Sequence, residues 1–138
     1  MRTVSRSIPV DWTDCNDHMN EGRYGQIFSE AAEVFMNEIG ADADYIEAGH
    51  SFFTVETTVK YLIETLSGQY VTIDTRVILS DGKKVKLFHE MRDESDTLLA
   101  TSEQFMLHVN LKTRKSCAPL SDVQKRMDAI AQVHQEVQ

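Results

Sequence analysis

Residues 20–40, NEGRYGQIFSEAAEVFMNEIG, decide the fold. Tyr24, Ile27, Phe28, Ala31, Val34, Phe35 and Ile39 recur there at three- and four-residue spacing. On a helix that spacing gathers them into one apolar stripe, the mark of an element laid against a core. Asn20 can cap the first turn through its side-chain oxygen, and Glu21 suits the positive end of the helix dipole. Gly40 follows the last periodic residue as a stop. The predicted helix runs for about 16 to 18 residues, about 25 Å at the standard rise.

The flanking chain supplies a sheet to cover that stripe. Phe52 to Ile63 is rich in Phe, Thr, Val, Tyr and Ile. Tyr70 to Leu79 alternates, with Val71, Ile73, Thr75, Val77 and Leu79 on one face. Lys84 to Met91 sets Val85, Leu87 and His89 opposite Lys86, Phe88 and Glu90, and Leu98 to Leu111 reads as another long strand. Turn residues stand at Ser67-Gly68, Asp81-Gly82 and Asp93 to Asp96. Upstream, Thr3 to Trp12 reads as a strand with Pro9 at an edge or bulge, and Asp14 to Glu21 as a polar loop. Asp42 to Ala48 reads as a short helix ending at Gly49. Leu120, Val123, Met127, Ile130 and Val133 predict a peripheral helix from Leu120 to Val137. The order is strand, long helix, four antiparallel strands and a terminal helix, which is α+β. Residues 1–138 are expected to form a single domain. About five strands with long edges invite aggregation unless an edge is covered, and pairing edges between two copies covers it. A homodimer at least, or a tetramer, is expected.

Composition bounds the function. The 138 residues are 41% hydrophobic and 26% charged, enough for one domain with a real core. The net charge of −8 argues against nucleic acid and anionic membrane as partners, since phosphate contacts need clustered Lys and Arg. The short basic clusters are Lys83, Lys84 and Lys86, and Lys112, Arg114 and Lys115; either could meet a nucleotide phosphate. Cys15 and Cys117 lie far apart and read as free thiols in a reducing cytosol. No signal-like or membrane-spanning apolar run is present, so a cytoplasmic location is expected. The histidines show no metal spacing, so no metal is expected.

The chemistry concentrates in the segment from Asp14 to Tyr24. Asp14, Asp17, His18, Asn16 and Asn20 crowd a loop that opens onto the helix N-terminus. First-turn amides have no intrahelical partner and can polarise a carbonyl or hold an oxyanion. A carboxylate nearby can attack that carbonyl or deprotonate a water. The same residues also describe a plain capping loop with solvated charges. Cys15 has no matched base and is not read as a nucleophile.

The spacing Asp14, His18, Asn20, Tyr24 resembles the active-site loop of hotdog-fold acyl-CoA thioesterases, in the branch that includes the 4-hydroxybenzoyl-CoA thioesterases. Their usual motif is an Asp, then Gly-His-x-Asn-Asn, then a Tyr in the helix. Two positions depart: Asp17 stands where Gly is usual, and Glu21 replaces the second Asn. The resemblance extends over essentially the whole chain, because a long central helix wrapped by a curved antiparallel sheet is the hotdog fold. It implies that Asp14 is the catalytic nucleophile or general base. It implies that His18 orients Asp14 or binds the substrate carbonyl, unless it only holds loop backbone. Asn20 then serves as cap and site residue, with the amides near Asn20 to Gly22 on the thioester carbonyl. Asp17 either perturbs Asp14 or faces solvent. Coenzyme A enters as part of the substrate, and no separate cofactor is implied.

A narrower resemblance concerns the acyl group. His18 to Glu21, Phe53 to Thr57 and Leu98 to Gln104 are similar to the thioesterases associated with L-carnitine dehydrogenase, some of them fused to it, which hydrolyse betainyl-CoA to glycine betaine and CoA. This implies a functional link to that dehydrogenase. A trimethylammonium group wants aromatic faces and a carboxylate. Trp12, Phe52, Phe53, Tyr61, Glu56 and Glu103 are candidates, with Glu21 and Tyr24 beside the loop. Glu56 carries most weight, because a carboxylate inside a Thr-rich strand needs a partner. For CoA the foremost candidates are Lys112, Arg114 and Lys115, with Arg23 and Lys60 behind them. The rival readings are a thioesterase for an aromatic or fatty acyl-CoA, and a non-catalytic acyl-CoA-binding hotdog module, since fold alone does not give function.

Overall fold

A helix with one apolar stripe and two polar flanks sits in a trough, and this one does. In the computed structural model, which describes the backbone of residues 1–137 and the side chains of residues 1–131, helix α1 spans Glu21–Glu38. Asn20 is extended, and its Oδ1 accepts the Gly22 N–H at 2.9 Å. Tyr24, Ile27, Phe28, Ala31, Ala32, Phe35 and Met36 are buried along it. Val34, expected in the stripe, is 41% exposed. It stands about 100° round the helix from Phe35, so Ala32 and Met36 complete the buried face instead. The helix stops at Gly40, whose φ of 86° suits a residue without a side chain.

Five strands follow the expected order, β1 Arg2–Ser7, β2 His50–Tyr61, β3 Tyr70–Asp81, β4 Lys84–Arg92 and β5 Leu98–Asn110, and the structure adds an unexpected two-residue β6, Lys115–Ser116. The sheet order is β1-β3-β4-β5-β2, all antiparallel, with β6 on β5. Helix α2 spans Ala43–Glu47 and α3 spans Ser121–Val137. The first strand is shorter than expected. It ends at Ser7, and Pro9, which has no N–H for a ladder, instead accepts the Trp12 N–H at 3.1 Å and starts a 3-10 turn at Val10–Trp12. Leu79 also leaves its expected face, because a bulge between Val77 and Leu79 shifts the alternation.

The inner face of the sheet packs on α1 through Val71, Ile73 and Val77 of β3 and Val85, Leu87 and Met91 of β4, all buried. A polar chain crosses the same face. Thr3 and Thr75 hydroxyls meet at 2.9 Å, Thr75 meets His89 Nδ1 at 2.7 Å, and His89 Nε2 meets Gln104 Oε1 at 3.1 Å. Gln104 then donates to Thr54 Oγ1 at 2.7 Å. The chain therefore links all five long strands beneath Phe28, whose ring stacks on His89 at 5.7 Å. Burial pushes the fully enclosed His89 down to about 4. α3 lies against β3 and buries Val123 and Met127; the expected contact of Val133 lies outside the described side chains. No described helix is long and apolar enough to cross a membrane.

Candidate active site

The loop before α1 is tied at both ends by backbone bonds. The Asp14 N–H donates to the His18 carbonyl at 2.8 Å, the Met19 N–H to Thr65 at 2.7 Å, and the Asn20 N–H to Trp12 at 2.7 Å. Asp14 Oδ1 accepts the Asn16 N–H at 2.9 Å, an Asx turn that holds the carboxylate in place. Asp17 has a φ of 62°. The motif's usual Gly falls at this left-handed position, and Asp tolerates it better than most residues do. Asp17 is exposed and serves the turn.

An open cleft of about 410 Å³ lies over this loop, lined by Asp14, His18, Met19, Glu21, Tyr24, Tyr61 and Glu64. His18 Nε2 meets Glu64 Oε2 at 2.7 Å, so its side chain is engaged by Glu64. The Tyr24 hydroxyl donates to Thr65 Oγ1 at 3.1 Å, and its ring meets Tyr61 edge-on at 4.8 Å. Partial burial, then Glu21, push the Tyr61 phenol up, which keeps it a neutral donor. Asn20 uses its side chain on Gly22 and its carbonyl on Arg23. Glu21, the first residue of α1, lines the cleft, and a first-turn amide has no intrahelical partner. Asp14, His18, Glu21 and Tyr24, expected from the sequence, are thus brought together beside the Asn20 cap.

Other expected site residues lie elsewhere. Trp12 is buried under the loop, with the Arg6 guanidinium 4.5 Å and that of Arg23 5.4 Å from its ring. It supports the loop, and its ring is already met by protein cations. Phe53, Glu56 and Glu103 sit on the outer face of the sheet, opposite Leu107, Phe105 and Phe88. Glu56 is exposed at a bulge in β2, so the premise that it needs a buried partner fails. Lys112 and Arg114 lie in the β5–β6 turn and Lys115 opens β6, at the end of β5 opposite the Ala100–Tyr61 pair that borders the cleft. Glu64 escaped the sequence reading. It stands in a connection with no motif, brought to the cleft by the bridge between His18 and Leu66 and by the bonds from Met19 and Tyr24 to Thr65.

A cleft at a helix N-terminus inside a wrapped antiparallel sheet is the architecture of hotdog enzymes, and the comparisons agree. The Thioesterase-like superfamily model matches residues 8–127. The chain belongs to that superfamily. It is 48% identical over 130 residues to a protein of Ruegeria pomeroyi named L-carnitine dehydrogenase/betainyl-CoA thioesterase, covering 94% of this chain and 26% of that protein. The chain spans about a quarter of the length of the first curated relatives it matches. It is 32% identical to the Betainyl-CoA thioesterase of Pseudomonas aeruginosa, covering 97% of this chain and 86% of that one. Among solved structures, a Staphylococcus aureus protein in complex with CoA superposes with a TM-score of 0.92 at 25% identity, covering 96% of this chain and 85% of that chain.

Proposed function

We propose that this chain hydrolyses the thioester of betainyl-CoA, releasing glycine betaine and CoA. The observation that carries the reading is the Asp14 carboxylate, fixed by the Asn16 N–H through Oδ1, in a cleft that opens on the α1 N-terminus. The thioester carbonyl meets the Glu21 N–H and the positive end of the helix. Asp14 takes a proton from water, the resulting hydroxide attacks the carbonyl carbon, and the C–S bond breaks to release CoA thiolate. The alternative is direct attack by Asp14 through an anhydride. Single turnover in H2¹⁸O that labels Asp14 establishes the anhydride route, opened by water at the Asp14 carboxyl carbon, because general-base hydrolysis leaves both Asp14 oxygens unlabelled. On the general-base route the protonated Asp14 then returns that proton to the leaving sulfur, which restores the carboxylate, while His18, held by Glu64, lines the same cleft. The names of the relatives support betaine as the acyl group and a functional link to L-carnitine dehydrogenase. The test is thiol release from a panel of acyl-CoAs. Equal rates for betainyl-CoA and neutral acyl-CoAs of the same size defeat the substrate assignment.

The reading includes a homodimer through β2. This twelve-residue strand is a sheet edge carrying exposed Phe53, Val55 and Tyr61, the kind of edge that invites a second strand. Its bulge between Thr54 and Glu56 changes which residues face inward: Phe52 and Thr54 before it, Thr57, Val59 and Tyr61 after it. An antiparallel pairing centred between Val55 and Glu56 then sets Thr57 against the partner's Thr54 and Val59 against the partner's Phe52. Tyr61 faces the partner's His50. Inner face meets inner face along the whole strand, as continuous pairing requires. The same two-fold reverses the sheet end to end, so the partner's Lys112, the partner's Arg114 and the partner's Lys115 approach the cleft from which they are remote within one chain. That arrangement supports the assignment of these cations to CoA.

A further inference from the structure

A second cavity, of about 490 Å³, lies between α1, α2 and the inner ends of β2 and β5. Met36, Phe52 and Met106 form its apolar wall, Gln104 and Thr54 its floor, and Glu33 stands at its rim. No Lys or Arg lines it. Gln104 is 8% exposed and is held on both sides, by His89 and by Thr54, so the floor is fixed before any ligand arrives. Asp42, the other acid on the rim, is committed to capping α2 through the Tyr45 N–H at 3.1 Å. Among the described residues Glu33 has no hydrogen bond or ion pair. An aromatic ring, two thioethers and one uncommitted carboxylate are the chemistry that receives a quaternary ammonium group.

We infer that this cavity is the acyl chamber of the neighbouring subunit's active site, and that Glu33 is the residue that selects a cationic acyl group. The inference rests on the betainyl-CoA and dimer readings above. In betaine the quaternary nitrogen lies two bonds from the carbonyl carbon, so its receptor must adjoin an Asp14 cleft. Within one chain Glu33 is twelve residues along α1 from Glu21, about 18 Å at the helical rise, which is out of reach. The β2 two-fold runs the partner helix antiparallel and brings its middle turns toward this chain's α1 N-terminus. Val59, two residues before Tyr61 of the cleft, then faces the partner's Phe52 of the cavity wall. Of the cleft's own acids, Asp14 is assigned to the chemistry, Glu64 is paired with His18, and Glu21 sits in the first turn of α1, where the positive helix end engages its charge. Glu33 is exposed at the rim in the single chain; a second copy packed over that rim excludes water from it, and at equal distance an ion pair is worth about four times more at the effective dielectric of a protein surface than in bulk water.

The experiment compares betainyl-CoA with 3,3-dimethylbutyryl-CoA, the neutral isostere with carbon in place of nitrogen. Glu33→Gln is expected to lower kcat/KM for betainyl-CoA about tenfold or more and to leave the isostere within about twofold. Asp42→Asn, which keeps the cap, is expected to change the ratio less. A wild-type enzyme that prefers betainyl-CoA and a Glu33→Gln variant with the same preference would overturn the assignment of Glu33 and leave the substrate reading standing. A wild-type enzyme with no preference overturns the substrate reading and the inference together. Mixed dimers of Asp14→Ala and Glu33→Gln subunits test the exchange between chains. If Glu33 serves the neighbouring Asp14, one site per mixed dimer is intact and the wild-type preference returns. If the preference stays at the Glu33→Gln level, the cavity does not serve the partner.

Discussion

Asp14 depends on its neighbours more than on its own environment. The Asx turn to Asn16 and the bond from Asp14 N–H to the His18 carbonyl aim a solvent-accessible carboxylate at the end of α1. Asp14→Ala and Asp14→Asn are expected to lower kcat by about 10²- to 10⁴-fold, the usual range for a lost acid–base group, with urea midpoints unchanged. Near wild-type turnover in the purified variants would remove Asp14 from the chemistry. His89 makes a different prediction. Its folded pKa is pushed down by burial to about 4 from 6.5, so the unfolded chain binds the proton first as pH falls. The stability due to neutral His89 is therefore complete above about pH 6.5 and is lost between there and pH 4, amounting to about 3 kcal/mol. Urea unfolding at pH 7 and pH 4.5, wild type against His89→Gln, checks this; the variant should show the smaller drop over that interval. His108, also pushed down by burial, adds a loss of the same sign in both proteins.

At the scale of elements, α1 serves both the core and the site. Its buried stripe joins both halves of the core, from Tyr24 at the loop to Ile39 beyond its end, while its first turn lines the cleft through Glu21 and Tyr24. Asn20 couples the two uses. Asn20→Ala is expected to cost about 1 kcal/mol by thermal unfolding and to depress kcat beyond what stability explains, because the first-turn amides lose their alignment. Asn20→Ser should restore stability and most of the activity. A variant that unfolds earlier yet turns over normally would make Asn20 a cap alone. The stripe and both capping residues were legible in the sequence, because helical periodicity and end signals are local. Val34 and Leu79 were misread for a local reason as well: a stripe's width and a bulge's position depend on which neighbour packs there. The Pro9 turn shows a strand stopped by a missing N–H, where the sequence alone allowed an edge or a bulge.

At the scale of the molecule, β2 is the sheet edge on which the proposed dimer rests. Val55→Glu sets a new carboxylate against the partner's Glu56 at the centre of the proposed pairing, and like charges directly opposite are destabilising. Sedimentation is expected to show a shift from dimer to monomer, with thioesterase activity lost in parallel. A monomeric variant with full activity would refute a site shared between chains. The sequence alone determined the class of fold, the helix with its caps, and the register of Asp14, His18, Asn20 and Tyr24, because each is written in spacings of a few residues. It also pointed to acyl-CoA chemistry through that register. Tertiary structure decided which other side chains reach the cleft. Strand pairing puts Glu56 and Glu103 on the outer face, and loop bridging delivers Glu64 to His18. Chain folding wraps Trp12 with arginines, and the β2 bulge changes which side chains of that edge strand face inward. The strand pairings and the His18–Glu64 contact join residues tens of positions apart, and no local pattern encodes which face of a sheet a long-range partner will occupy.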